Sequence, residues 1–158
     1  MPSYQEVTPI TEVNGKYAYV RYWPSLAPTE RRILEAVLTA NPKTDQASSD
    51  SKPAFSRQAI TTIYGAIKDT AEITAQMSTE YVDQVLELNA GARSGVVYDF
   101  QIVVPGFLGW WFKSANVQVP TPTIPDDGTT ITMAFALSGT LEMIDARSSR
   151  LLNAGLLV

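Results

Sequence analysis

Asp126 and Asp127 are the nearest approach to a catalytic or cation-binding carboxylate pair in this chain. They stand in the stretch TPTIPDDGTTITMAFALSG, from Thr121 to Gly139. Two carboxylates can share acid–base work or hold a cation only if they converge on one point. Neighbouring residues in a turn point apart, and Pro-Asp-Asp-Gly is first of all a turn. Pro fixes φ, Asp bonds its own backbone, and Gly takes positive φ. A calcium loop would need more oxygen ligands at regular spacing. The turn is the stronger reading.

The other chemistry-bearing candidates are equally sparse. The chain has no Cys and no His, which removes thiolate and imidazole zinc sites and the Ser-His-Asp and Cys-His nucleophile systems. No Gly-x-Gly-x-x-Gly or Walker string appears, and Ser138 and Thr140 flank Gly139 with no base beside them. Lys68 and Lys113 read as surface residues. No enzyme activity, cofactor or metal is expected. Trp110-Trp111-Phe112 could be a sugar platform or a membrane-inserting loop. In a strand, adjacent side chains face opposite ways, so one Trp should enter the core and the other meet a surface or a protein interface.

Composition narrows the class further. The 158 residues suit one domain with a real core. Apolar residues make up 45% and charged residues only 18%, a lightly charged surface that favours burial against partners. The net charge of −4 and the lack of any basic cluster beyond Arg31-Arg32 argue against gripping nucleic acid, which requires neutralising phosphates. The N-terminus (MPSYQEV) has no basic and then apolar run, so no signal peptide is expected. No apolar run is long enough to span a bilayer.

The elements follow from periodicity and punctuation. Residues 1–15, with Pro2, Pro9 and an Asn14-Gly15 turn, predict an extended arm and a tight turn, then a strand over Lys16–Trp23. Residues 28–42 fit both a helix (Ile33, Leu34, Val37, Leu38) and a strand (Ile33, Glu35, Val37, Thr39); locally the helix is preferred. The polar stretch 43–54 predicts a mobile loop. Phe55–Met77 predicts one bent strand or two short ones, interrupted at Gly65 and Asp69. A helix is expected over about 79–90, capped by Ser78 or Thr79 and ended by Gly91. Strands follow at Val96–Pro105, through the tryptophans, at Ser114–Val119, and from about 130 to Ile144. In the last, Ile131, Met133, Phe135 and Leu137 form the buried face, and the other face is small and mildly polar. Residues 151–158 (LLNAGLLV) are almost wholly apolar and should complete their own sheet or lie on a neighbouring subunit; the latter is preferred. Helix and strands do not alternate. The fold class is mainly β, an antiparallel β-sandwich or barrel with one flanking α-helix.

This layout, a strand (EITAQM), a helix opening STEYVDQVLEL, a strand (VVYDFQIVVP), an aromatic turn, a strand, Pro125-Asp126-Asp127 and a strand with Thr130, Thr132, Ser138 and Gly139, resembles the major tail tube proteins of long-tailed bacteriophages. The resemblance covers about residues 70–144. It implies a single tail-tube-like domain, hexameric rings stacked into a hollow tube, and a virion location after assembly in the host cytoplasm. It implies self-association and contact with other tail proteins, passage of DNA without specific binding, and no membrane partner. It also implies a long loop or hairpin over 33–63 and terminal arms at 1–15 and 151–158. The small face of the 130–138 strand would then meet an adjacent subunit or line the tube. The candidate interface residues are Trp110, Trp111, Leu151, Leu152, Leu156, Leu157 and Val158. Related folds in terminator, baseplate or decoration proteins, and a stand-alone ligand-binding β-sandwich, are the alternatives.

Overall fold

The structure is a computed structural model, and it describes residues 18–34, 37–50 and 60–147. Residues 1–17, 35–36, 51–59 and 148–158 lie outside the described residues, and with them the expected arm over 1–15, part of the long loop or hairpin expected over 33–63 and the apolar tail 151–158. The elements in chain order are β1 (Tyr19–Pro24), β2 (Arg32–Ile33), β3 (Val37–Asp50), β4 (Thr62–Gln76), a 3-10 turn (Thr79–Tyr81), α1 (Val82–Ser94), β5 (Val97–Val103), β6 (Leu108–Val117), β7 (Thr121–Thr123) and β8 (Thr132–Asp145). The strands form one eight-stranded sheet in the order β2-β1-β5-β6-β8-β4-β3, with β7 paired to β8. Every pairing is antiparallel. The sheet rolls until β1 and β3 approach one another, but they do not pair, so the barrel keeps an open seam. The expected mainly-β architecture with one flanking helix is the one observed.

The inner face of the roll holds the core. Strand periodicity places Val20 and Tyr22 of β1, Tyr98, Phe100 and Ile102 of β5, Phe112 of β6, Met133, Phe135 and Leu137 of β8 and Ala71, Ile73 and Ala75 of β4 together. Phe100 stacks on Tyr22 with centroids 5.5 Å apart and tilts against Phe135 at 6.1 Å. Three of the four residues expected to line the buried face of β8 are buried. Ile131 is not: it is 38% exposed, because it lies just before the strand begins.

Helix α1 closes one side of the core. Ser78 Oγ accepts from the Glu80 amide, as expected of a cap. Leu88 is fully buried, and Glu87 accepts from the Tyr22 hydroxyl at 3.2 Å and pairs with Arg32. Burial and the adjacent Glu87 carboxylate push the Tyr22 hydroxyl pKa up. The helix runs past Gly91, the residue expected to end it, and stops at Gly95, whose φ of 76° needs no Cβ there. Gly91 serves packing instead: a Cβ there would lie 2.1 Å from the Tyr98 hydroxyl oxygen.

The region 33–50 corrects two further expectations. The locally preferred helix over 33–40 does not form; Arg32–Ile33 and the residues from Val37 are strands. The loop expected over 43–54 is strand up to Asp50. Pairing with β4 decides the conformation, through cross-strand bonds from Thr44 to Asp69 (2.7 Å) and from Thr62 to Asp50 (2.9 Å). Pro42 is tolerated because β3 is an edge strand. Strand β4 is continuous through Gly65 and Asp69, with an irregular register opposite Gln46–Ser48. The tryptophans and Ser114–Val117 belong to one strand, β6, rather than two.

Phe100→Ala should remove about 3–5 kcal/mol of stability, because its ring is fully buried among aromatics. Urea unfolding checks this; a loss below about 1 kcal/mol would show that the ring is not the centre of the core.

Candidate functional site

Three features on the outside of this roll are candidates for function. The first is the β3–β4 hairpin. Beyond Lys43 on one strand and before Asp69 on the other, every described residue is exposed. Ile63 (57%), Tyr64 (68%) and Ile67 (61%) stand in water on it, and Leu38 is exposed near its root. Large apolar side chains on a projecting two-stranded ribbon gain nothing from their own domain. They make this ribbon a candidate contact surface. Among the described residues, the outer edge of β3 also has no neighbouring strand for its backbone hydrogen-bonding groups.

The second feature is the seam between β1 and β3. It encloses about 430 Å³ and is lined by Val20, Val37, Leu38, Ala40, Ile102 and Trp110 among others. Trp110 stands in the row Val20–Ile102–Trp110–Met143 across four strands, and its ring packs on the core while forming part of this wall.

The third is a cluster on the outer face of β1, β5 and β6. Here lies the row Arg21–Gln101–Trp111–Glu142, one residue out of step with the core row. Asp99, 9% exposed, organises it. Its carboxylate accepts from Ser25 Oγ at 2.6 Å, Trp111 Nε1 at 3.1 Å and the Ser114 amide at 2.9 Å. Ser114 carries a φ of 47°, a left-handed conformation that costs energy for a residue with a side chain. Asp99 holds that kink in place. Lys113 Nζ lies 4.4 Å from the Trp111 ring centroid and pairs with Glu142, while Trp23 tilts against Trp111 at 6.1 Å. Arg21 is buried with its Nε on Gln101; its Nη1 and the Tyr19 hydroxyl have no hydrogen-bond partner among the described residues. Burial pushes the Arg21 pKa down and that of Tyr19 up.

The adjacent tryptophans thus split between the two faces, as strand geometry requires. Both are half-buried. Trp111 is engaged by Trp23, Lys113 and Asp99, which disfavours a sugar platform on its ring. Asp126 and Asp127 remain a turn: Asp127 Oδ1 accepts from the Thr129 amide (3.0 Å) and hydroxyl (2.8 Å), and Gly128 has φ 73°. Those two bonds hold the Asp127 carboxyl pKa below its ordinary value. No group of three or more His, Cys, Asp or Glu that could hold a metal occurs among the described residues. No helix among them is long and apolar enough to cross a membrane. The interface residues Leu151, Leu152, Leu156, Leu157 and Val158 lie outside the described residues. Sequence reasoning missed Asp99, although a lone acid inside the apolar run Val96–Pro105 was a signal for it.

Against solved structures the fold has close counterparts. One is a chain of the 6-fold symmetrised cryo-EM structure of the anti-feeding prophage baseplate, with TM-score 0.63, 10% identity, and coverage of 90% of this chain and 99% of that one. Another comes from the tail of the empty gene transfer agent particle, refined helically with C6 symmetry, with TM-score 0.63, 13% identity, and coverage of 83% and 98%. A third is a chain of the anti-feeding prophage cap, described as a tube-terminating cap, with TM-score 0.66, 7% identity, and coverage of 90% and 97%. No protein-family model and no curated protein matches the sequence. The chain therefore shares its fold with components of phage-like tails and contractile injection systems.

Asp99→Asn should cost about 1–3 kcal/mol, because the amide that replaces one oxygen cannot accept from the buried donors around it. It should also shift tryptophan emission to the red through Trp111, an effect absent when Trp111→Phe is the background. An unchanged unfolding midpoint would contradict the role given to Asp99.

Proposed function

We propose that this chain is a structural subunit of a phage-like tail tube, assembling through hexameric rings that stack into a hollow conduit for DNA. The observation that carries this reading is the exposed β3–β4 hairpin, with Ile63, Tyr64 and Ile67 offered to a partner. The shared fold supports it, since the compared chains come from a tail, a baseplate and a tube cap. In this reading the hairpin contacts the next ring. The tail residues Leu151, Leu152, Leu156, Leu157 and Val158 lie on a neighbouring subunit, and Trp110 and Trp111 belong to subunit-facing walls. The partners are copies of the same chain and other tail proteins, and the location is the virion tail. The net charge of −4 suits a conduit, because weak repulsion of phosphates lets DNA slide without binding. The role is architectural, with no catalysis.

A tube terminator is the second reading, favoured by the fold likeness to the cap. It would form one closed ring and then stop, whereas a tube subunit keeps stacking.

Pelleting of assembled material by ultracentrifugation tests the hairpin. The double substitution Tyr64→Asp and Ile67→Asp should raise the concentration needed for assembly about tenfold or more, the effect of losing roughly 1.4 kcal/mol or more from the two contacts together. The fold should survive, since both side chains are exposed. Unchanged pelleting would remove the hairpin from the interface. Deleting residues 151–158 should likewise weaken assembly without unfolding the domain; full assembly of the truncated chain would refute the role of the tail.

A further inference from the structure

Among the described residues no strand fills the seam between β1 and β3. At Tyr19, β1 pairs there only with β5; from Val20 onward its other edge is taken, first by the Leu34 amide bonding the Val20 carbonyl and then by β2. Across the gap, β3 pairs only with β4 among the described residues. Among those residues, the start of β1 and the outer edge of β3 therefore face each other unpaired over an apolar floor made by Ile102 and Trp110. Free edges over an apolar floor suit an added strand, in which the backbone supplies pairing and alternate side chains fill the floor.

The chain itself contains a segment of matching chemistry. Residues 151–158 are apolar save for one Asn, and as a strand they put Leu152, Ala154, Leu156 and Val158 on one side. The topology directs this segment away from its own seam. Strand β8 is separated from β1 by β5 and β6 and from β3 by β4, so it forms the wall opposite the gap. Its end is tied to the β5–β6 turn: the Gly106 amide bonds the Ala146 carbonyl, and the Ala146 amide bonds Phe107. Asp145 accepts from the Arg147 amide and guanidinium just where the described chain ends. The residues from 148 to 158 extend up to about 35 Å from there, enough to reach an adjacent molecule.

We propose that the C-terminal segment Leu151–Val158 of one copy inserts as a strand into the β1–β3 seam of a second copy and closes its barrel. This rests on the tube-subunit reading and names the surface that receives the tail.

The chain has no cysteine, so a disulfide between two introduced cysteines is unambiguous. Ala40→Cys and, in a separate protein, Leu156→Cys are mixed and oxidised under assembling conditions. Leu152 and Leu156 lie about 13 Å apart in a strand, so Thr39→Cys with Leu152→Cys tests a second register of the same insertion, and Thr129→Cys, on the distant turn, is the control for random collision. The expected result is a cross-linked band of twice the subunit mass as the main product with Ala40 or Thr39 and not with Thr129. Stacked rings without that band would overturn the insertion while leaving the tube reading intact. A cross-link found only within one chain, in a protein carrying both substitutions, would place the tail in its own seam and also overturn it. Monomers that neither assemble nor cross-link would overturn both readings.

Discussion

A β-sheet edge exposes backbone donors and acceptors that must be paired, covered or left to water, and this fold leaves its two edges facing each other without joining. That constraint governs the rest. The aromatic core packs Phe100 between Tyr22 and Phe135 on the inner face of the roll. The described strands do not close the roll. A complete barrel would have no edges and little reason to associate. An incomplete one leaves edges at which an added strand can pair.

The hairpin follows the same logic in the opposite direction. Strands β3 and β4 run well past the body, where no core exists to stabilise them. A two-stranded ribbon is marginal alone, and cross-strand bonds such as Thr44–Asp69 compensate only in part. Exposed Ile63, Tyr64 and Ile67 gain burial only when another molecule covers them. The outer cluster around Asp99 is different in kind. It fixes a strained Ser114 and the orientation of Trp111, and so makes the β5–β6 wall rigid.

What the sequence disclosed depended on which face an element buries. Met133, Phe135 and Leu137 were legible because a half-buried strand writes its pattern with a period of two. Ile131 broke that pattern only because pairing stops before it. Helix α1 was legible from its cap and its acidic start, but its end was not, since Gly91 is set by the packing of Tyr98 and not by a turn. Residues 33–40 carried spacing for either structure, and strand partners elsewhere in the chain decide between them, β1 at Ile33 and β4 from Val37. Residues 43–50 looked like a loop because a ribbon exposed on both faces has no apolar rhythm to read. The Asp99 cluster was hidden because its donors, Ser25, Trp111 and Ser114, are brought together by pairing across three strands.

The central claim is that this is a domain left open in order to join copies of itself. Negative-stain electron microscopy of the concentrated full-length chain, seeded with tail-tip complexes where growth does not start alone, tests it most directly. Stacked rings or hollow tubes are the predicted result. Monodisperse single subunits at every concentration and after seeding would contradict it.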